Sequence, residues 1–419
     1  MKRESIYTAI DLGTSKICTI VARVGHDGQL QVLGLGVVPS QGILKGMLAN
    51  PQECRDALAA SLEQAQRYLG RRISWAYVGV TGNFITSRNR VGSLQGVGEL
   101  STVASRQVHT LSQPSYDPEV EPGKEVLHVI PRGYTVDGLK GVRNPSELLA
   151  DHLEVESHVI LADAPPLRNV LQAVQQCGVA VHSLVLEPLA ASEAVLGEDE
   201  REMGVVLADI GGGTTDVAIF ENGHLSHTAI IPVGGHNLTR DLSFGLDIPY
   251  ALAEEAKVKW GCALPQAVDE REKVMLSSFQ RASREPLGRR ALCRVLHIRL
   301  EEIIKLICLQ APSVERMRFP LGGLVLTGGS AALPGIDELA RELVPGIRVR
   351  IGYPQGIGGL PAELKQPAFS TSMGILLWGI KHHGERKAYG SSNGDSKHRG
   401  YKALLRRLKW PFLTHSNGQ

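Results

Sequence analysis

Two stretches of this chain set aspartates against glycine turns. The longer is Asp209-Ile210-Gly211-Gly212-Gly213-Thr214-Thr215-Asp216, entered by Val205-Val206-Leu207-Ala208 and left by Val217-Ala218-Ile219-Phe220. Strand formers on both sides of a glycine turn predict a β-hairpin. Three glycines clear away side chains, so backbone N–H groups can close on an anion. Thr214 and Thr215 add hydroxyl donors. Aspartates at either end would repel a bare phosphate, but they suit a hydrated cation lying between them and phosphate oxygens. A plain hairpin turn needs only one or two glycines.

The N-terminus repeats the pattern. Ile6-Tyr7-Thr8-Ala9-Ile10 leads into Asp11-Leu12-Gly13-Thr14-Ser15-Lys16, and Ile17-Cys18-Thr19-Ile20-Val21 follows. Lys16 adds a positive charge where a terminal phosphate would lie. A third turn, Leu326-Thr327-Gly328-Gly329-Ser330, follows an apolar run and precedes a helix expected over Ile336–Leu343. Its glycines suit a flat ligand face passing close to the backbone. Two acid–glycine hairpins in separate halves, with a later Thr-Gly-Gly-Ser before a helix, predict a nucleotide clamped between two lobes.

The rest of the chain must position these turns. Residues 30–38 read as a third strand, Pro51 opens a helix carrying Leu58, Leu62, Ala65 and Leu69 on one side, and 73–80 read as a strand ending at Thr81-Gly82-Asn83. That order begins an α/β lobe. Residues 84–161 break it with polar turns and short strands such as 126–130, and read as a small inserted subdomain. Alternation resumes at 167–177 and 181–186. Pro188 suits the first position of a helix, with Glu187 just before it. Asn222-Gly223 signals a two-residue hairpin turn. A helix is expected over 249–260, and an Arg-rich helical region over 269–310. In that region Leu292, Leu296, Leu300, Ile303 and Ile307 form a core stripe flanked by Arg289, Arg290, Arg294, Arg299 and Lys305. The basic set is either a solvated face or a partner surface.

Composition is that of an ordinary globular protein of two or more domains: 419 residues, 43% hydrophobic, 21% charged, net charge +2. This charge does not call for nucleic acid. Six scattered cysteines without a Cys-x-x-Cys pair fit a reducing cytoplasm better than disulfides or zinc. Met1-Lys2-Arg3-Glu4 runs at once into a strand, so no signal peptide is expected. No apolar run approaches the roughly 20 residues needed to cross a bilayer.

Residues 384–400 carry Gly, Ser, Asn and charges without periodicity, a linker composition that reaches roughly 20–25 Å. After it, Tyr401, Leu404, Leu405 and Leu408 share one helical face, with Lys402, Arg406, Arg407 and Lys409 beside or opposite it. Trp410 and Phe412 suit a headgroup boundary, and Pro411 ends the helix. This profile predicts a helix lying in a membrane surface. Packing on the body, a protein groove and nucleic acid are the other readings. The linker argues against the first, and the ordered apolar face argues against a purely electrostatic tail.

The glycine turns, with Glu187-Pro188-Leu189-Ala190-Ala191-Ser192 and Phe369-Ser370-Thr371-Ser372-Met373-Gly374 as connecting helices, resemble the actin-like ATPase superfamily. Within it the chain resembles the FtsA family of bacterial cell division proteins. The resemblance lies in the position of the 84–161 insertion, in Leu127-His128-Val129-Ile130-Pro131, in Ala253-Glu254-Glu255-Ala256-Lys257 and in the C-terminal amphipathic segment. Ser15-Lys16 in the first turn departs from the family within what it tolerates. The resemblance implies an α/β, actin-like two-lobed ATPase fold with an inserted small α+β subdomain in the first lobe and a C-terminal amphipathic helix. The first lobe would be 1–83, 162–203 and 361–383, and the insertion 84–161. The second-lobe core would be 204–240 and 311–360, with 241–310 as its outer subdomain.

It further implies ATP and Mg²⁺ between the lobes. Gly13, Gly211, Gly212 and Gly213 would bind phosphates, helped by Thr14, Ser15, Lys16, Thr214 and Thr215. Asp11 and Asp209 would hold the metal through water. Gly328, Gly329 and Ser330 would line the adenosine, with Glu254 and Lys257 at the ribose. Glu187 would orient an attacking water, in at most a slow ATPase. Implied partners are the FtsZ C-terminal peptide, met by Arg294 and Arg299, further copies of the chain, later division proteins and an anionic membrane surface, but not nucleic acid. The implied location is peripheral, on the cytoplasmic side of the inner membrane at the division site. The rival readings are a pilus-assembly protein of the PilM type and, from another class, a small-molecule kinase, for which no substrate pocket is marked.

Overall fold

The computed structural model describes residues 5–25, 29–95, 122–142, 144–145, 148, 150–275, 286–311, 319–355 and 360–383. The linker and amphipathic segment expected over 384–413 lie outside the described residues.

The chain begins with β1 (Ser5–Leu12), β2 (Lys16–Val24) and β3 (Leu30–Pro39), then a short pair, β4 (Ile43–Leu44) and β5 (Met47–Leu48). Helix α1 (Pro51–Leu69) starts where Asn50 accepts hydrogen bonds from the amides of Gln52 and Glu53, and it stops at Gly70 in the left-handed conformation. Strand β6 (Trp75–Val80) follows. These strands and the later β11 (Ala180–Leu186) form one sheet in the order β11-β6-β1-β2-β3. Strands β1, β2 and β3 pair antiparallel, while β6 and β11 add in parallel.

Between β6 and β11 the insertion builds its own antiparallel sheet, ordered β7-β10-β8-β9, from β7 (Ile85–Gln95), β8 (Lys124–Val136), β9 (Leu139–Val142) and β10 (His152–Asp163). The expectation of short strands is corrected here: β8 has 13 residues and β10 has 12, and bulges within their pairing carry them past the polar positions. Helix α2 (Ala164–Gln176) returns the chain to the first sheet.

Two short helices, α3 (Glu187–Val195) and α4 (Glu198–Met203), lead into the second half. There β12 (Val205–Ile210), β13 (Thr215–Glu221) and β14 (His224–Ile231) form an antiparallel run, closed at Asn222 and Gly223, both with positive φ. Helices α5 (Gly235–Gly245) and α6 (Tyr250–Trp260) follow, then a two-residue strand pair, β15 (Lys273–Val274) with β16 (Leu287–Gly288), and α7 (Arg289–Leu309). The helix expected over 269–310 therefore starts only at Arg289. Upstream, Asp269 holds a turn with its side chain on the Arg271 amide, and Gly288 ends β16. Strand β17 (Leu324–Thr327), α8 (Ile336–Leu343), β18 (Val349–Ile351) and α9 (Ser370–Lys381) complete the order.

The second sheet runs β14-β13-β12-β17-β18, with β17 and β18 added in parallel. It repeats the first sheet strand for strand: an antiparallel meander whose first strand takes two parallel neighbours on its other side. The two acid–glycine turns, β1–β2 and β12–β13, sit at the same place in each copy. Strand β12 alternates between two cores: Val205 and Leu207 join the core of the first half, while Val206, Ala208 and Ile210 join the second. Helices α3 and α9 cross between the sheets. A Cβ on Gly374 would lie 1.8 Å from the Ala190 carbonyl oxygen, so glycine is what lets these backbones meet.

Candidate functional site

The twofold topology turns the two glycine turns toward each other. A Cβ on Gly212 would fall 2.0 Å from Ser15 Oγ, and one on Gly213 would fall 2.7 Å from Thr14 Oγ1. Ser15 Oγ also lies 3.3 Å from His236 Nε2, at the start of α5. The third turn joins them: Gly328, with φ +89°, leaves no room for a side chain against Asp209 Oδ1 and the Ile210 carbonyl. A Cβ on Gly235 would meet Ser330 Oγ at 2.8 Å and Lys257 Nζ at 3.6 Å. Gly13, Thr14, Ser15, Gly211, Gly212, Gly213, Gly328, Ser330 and Lys257 thus border one crevice, although they come from both halves of the chain. Gly329 sits at its edge, across from Ala368. Thr214 is buried behind the turn, and Thr215 Oγ1 donates to the Val233 carbonyl at 2.8 Å.

Glu254 and Lys257 project from α6 and pair with each other at 2.8 Å. Lys257 Nζ also donates to Thr239 Oγ1 at 2.9 Å and to the Gly235 carbonyl at 3.1 Å. Lys257 and the Thr239 hydroxyl hold the Glu254 carboxyl below its ordinary range against the opposing effect of burial. Lys16 donates to the Ala368 carbonyl and stands 4.8 Å over the Phe369 ring.

Four carboxyls lie at the floor: Asp11, Glu187, Asp209 and Asp216, all buried. Asp209 and Asp216 are cross-strand partners, so their side chains share one face. Glu187 is the first residue of α3, one position earlier than the expected start at Pro188, and Gly79 leaves space beside it. Burial raises the pKa of every one of these carboxyls. Asp209 is pushed up to about 6 and Asp216 to about 8, the latter also by the neighbouring Asp209. Glu187 is raised well above its ordinary value by burial and then by Asp11, Asp216 and Asp209. Asp11 is raised by burial against the pull of Lys16.

Sequence reasoning missed the residues that hold this floor. Thr371 donates to Asp209 Oδ2 and Ser372 to Asp11 Oδ2, so adjacent hydroxyls at the start of α9 hold the two halves' aspartates. Ser370 Oγ reaches Thr327 Oγ1 at 2.7 Å. His236, Arg240, Tyr250 and Lys45 are not among the site residues the sequence predicts. They line a cleft of about 350 Å³ together with Thr14 and Gly213.

The donor set fits a triphosphate with a hydrated cation. The two glycine-bearing turns offer backbone amides, Gly212 and Gly213 leave no room for side chains against Ser15 and Thr14, and four buried carboxyls line the floor. Among the described residues no group of three or more His, Cys, Asp or Glu side chains is spaced to ligate a metal directly. A water-bridged cation needs no such group.

A cation in this crevice requires ionised carboxylates, so its binding must release protons held there. With Asp209 pushed up to about 6, cation affinity in this crevice is expected to rise as pH climbs toward 6 and to level off above it. The slope is roughly tenfold per pH unit for each proton released. Calorimetry in buffers of different ionisation enthalpy measures that release directly. Cation binding without proton release below pH 6 would contradict a cation held by Asp209.

Comparison with known proteins bears on what the crevice serves. A family model described as cell division protein FtsA matches residues 206–374, and one described as the SHS2 domain inserted in FtsA matches residues 82–161. The FtsA of Pseudomonas aeruginosa is 34% identical over 410 residues, 96% of each chain. The chain belongs to the FtsA family. Other members include the Bacillus subtilis protein, 32% identical over 91% of this chain and 85% of its own, and the Escherichia coli protein, 32% identical over 90% and 91%. The fold is actin-like, with the SHS2 insertion carried on the first half. Among solved structures, the PilM–PilN type IV pilus biogenesis complex has a TM-score of 0.63 at 14% identity, covering 89% of this chain and 98% of that one. MreB5 of Spiroplasma citri bound to ADP has a TM-score of 0.53 at 14% identity, covering 91% and 99%. These structures share the fold alone, whereas the FtsA proteins share the sequence over nearly its whole length. That difference sets aside the pilus-assembly reading.

The basic set on α7 is largely matched within the chain. Arg299 makes a two-pronged pair with Asp241, at 2.6 and 3.1 Å, and also meets Glu302. Arg289 pairs with Glu272 at 2.7 Å, Arg290 with Glu270 and Lys305 with Glu301. Arg294 is exposed and forms no ion pair among the described residues.

Proposed function

We propose that this FtsA-family chain binds ATP with Mg²⁺ between its lobes, self-associates, and tethers the FtsZ ring to the cytoplasmic face of the inner membrane. One observation carries the nucleotide reading: the two acid–glycine turns meet in a shared crevice whose aspartates are held by adjacent hydroxyls of a single helix. The ADP bound to MreB5, a protein of the same fold, supports it. The amides of Gly13, Gly212 and Gly213 take the phosphates, with Thr14, Ser15, Lys16 and Thr214 as further donors, while the Gly211 amide closes the turn on the Thr214 carbonyl at 2.9 Å and the Thr215 hydroxyl holds it to the Val233 carbonyl. Asp11 and Asp209 hold the hydrated cation. Gly328, Gly329 and Ser330 face the adenosine, and the Glu254–Lys257 pair opens toward the ribose. Glu187 orients water.

Nucleotide favours one lobe arrangement, and that arrangement favours filament contacts. In this reading 241–310 form an outer subdomain that takes the acidic FtsZ peptide. Arg294 meets a peptide carboxylate directly, and Arg299 exchanges Asp241 or Glu302 for one. The segment 401–413 supplies the membrane anchor. Electron microscopy of the full chain on an anionic lipid monolayer tests the whole reading. Polymers are expected with ATP and Mg²⁺, and none without nucleotide; assembly that ignores nucleotide would overturn it.

A further inference from the structure

Between β4 and β5 the chain turns on Lys45 and Gly46, with φ of 49° and 74°. Glycine accepts this left-handed backbone readily, while a lysine there is unusual; asparagine is the common first residue of such a two-residue turn. Strained residues gather where a side chain must be held in one place. The Gly46 amide donates to Thr14 Oγ1 at 3.2 Å, which fastens the tip to the first glycine turn. Lys45 Cα lies 2.9 Å from where a Cβ on Gly213 would stand, so the tip also rests on the second turn.

Its position along the crevice follows from the neighbouring glycines. Gly211, the first glycine of the second turn, accepts from the Gly235 amide at 2.9 Å, and Ser330 and Lys257 flank Gly235. That is the nucleoside side of the proposed site. Gly213, the last glycine, carries Lys45 at the other end. Lys45 from the first lobe and Arg240 from the second line the same cleft of about 350 Å³. Both are exposed, and neither forms an ion pair among the described residues. Two cations facing one cleft repel each other, and an anion between them reverses the sign.

We infer that Lys45 and Arg240 form a two-lobe clamp on the terminal phosphate of a bound nucleoside triphosphate, and so distinguish triphosphate from diphosphate. The inference rests on the nucleotide reading above. The lysine ammonium offers three rotatable donors to phosphate oxygens, and the guanidinium offers a planar fork from the opposite wall. With the terminal phosphate gone, the same charges push the lobes apart.

The test compares ATP and ADP binding, each with Mg²⁺, to the full wild-type chain and to Lys45→Asn, Lys45→Arg and Arg240→Gln. Lys45→Asn removes the charge and installs the residue this turn prefers, so the nucleotide-free melting temperature holds or rises. Its ATP affinity is expected to fall about tenfold to a hundredfold, with ADP affinity nearly unchanged. Arg240→Gln moves the ratio the same way, and Lys45→Arg retains it. A wild-type ATP-to-ADP affinity ratio in Lys45→Asn would overturn the clamp while leaving the nucleotide site standing. A wild-type chain that binds neither nucleotide would overturn both.

Discussion

Asp209→Asn will abolish ATP-dependent thermal stabilisation and will not weaken the nucleotide-free protein. Both halves of this result follow from burial. The folded protein raises Asp209 from its ordinary 3.8 to about 6, which corresponds to about 3 kcal/mol at 1.36 kcal/mol per unit. The direction is opposite to that of a salt-bridged aspartate. Below pH 3.8 the group is protonated in both states and costs nothing. Between 3.8 and 6 the unfolded chain releases the proton while the folded one keeps it, so stability falls as pH rises, and above 6 the full penalty remains. Asparagine removes that penalty and can still accept the Thr371 hydroxyl. The nucleotide-free melting temperature of the variant at pH 7 should therefore equal or exceed that of the wild type.

The ligand half runs the other way. A ligand at a hundred times its dissociation constant stabilises a protein by about 2.7 kcal/mol, and this is the shift that disappears when the cation loses its carboxylate. Differential scanning calorimetry with and without Mg²⁺-ATP reads both effects. A retained ATP shift would remove Asp209 from the cation site. A nucleotide-free melting temperature well below wild type would mean that the ionised carboxylate stabilises the fold instead of burdening it.

The two acid–glycine turns were legible in the sequence because their signal is local: glycines and hydroxyls packed into eight residues, with strand formers on both sides. That they face one another also follows from sequence, since two copies of one hairpin lead two copies of one sheet. The floor of the site was not legible. Thr371 lies 162 residues from Asp209, and Ser372 lies 361 residues from Asp11; nothing local separates these hydroxyls from an ordinary helix start. Asp216 reads as the end of a turn until the β12–β13 register pairs it with Asp209. Charges misled in the same way. Arg299 looks unmatched along the chain because Asp241 stands 58 residues away, on the neighbouring α5. The helix expected from 269 was the 3.6-residue stripe of α7 carried upstream past Gly288, which periodicity alone does not stop. Lys45-Gly46 passes for any surface turn, and only its contacts with Thr14 and Gly213 give the lysine a place in the crevice.

Removal of 401–413 is expected to abolish sedimentation with anionic vesicles, and Leu404→Asp with Leu408→Asp should do the same without shortening the chain. The proposed anchor holds Lys402, Arg406, Arg407 and Lys409 near the lipid, each contributing about 1 kcal/mol on an anionic leaflet. Partial burial of Tyr401, Leu404, Leu405 and Leu408 adds to this, and ordering a helix this short subtracts from it. One such segment binds reversibly. Joined in an assembly, later segments bind intramolecularly, and avidity can exceed single-site affinity by about 10²–10⁴. Vesicle binding should then steepen with protein concentration when ATP is present, and Asp209→Asn, with its anchor intact, should keep only the shallow, salt-sensitive binding of a single tail. Sedimentation unchanged by the deletion would place the membrane contact elsewhere. A variant without nucleotide binding that still bound as steeply as wild type would separate the anchor from the crevice and leave the two lobes without a part in tethering.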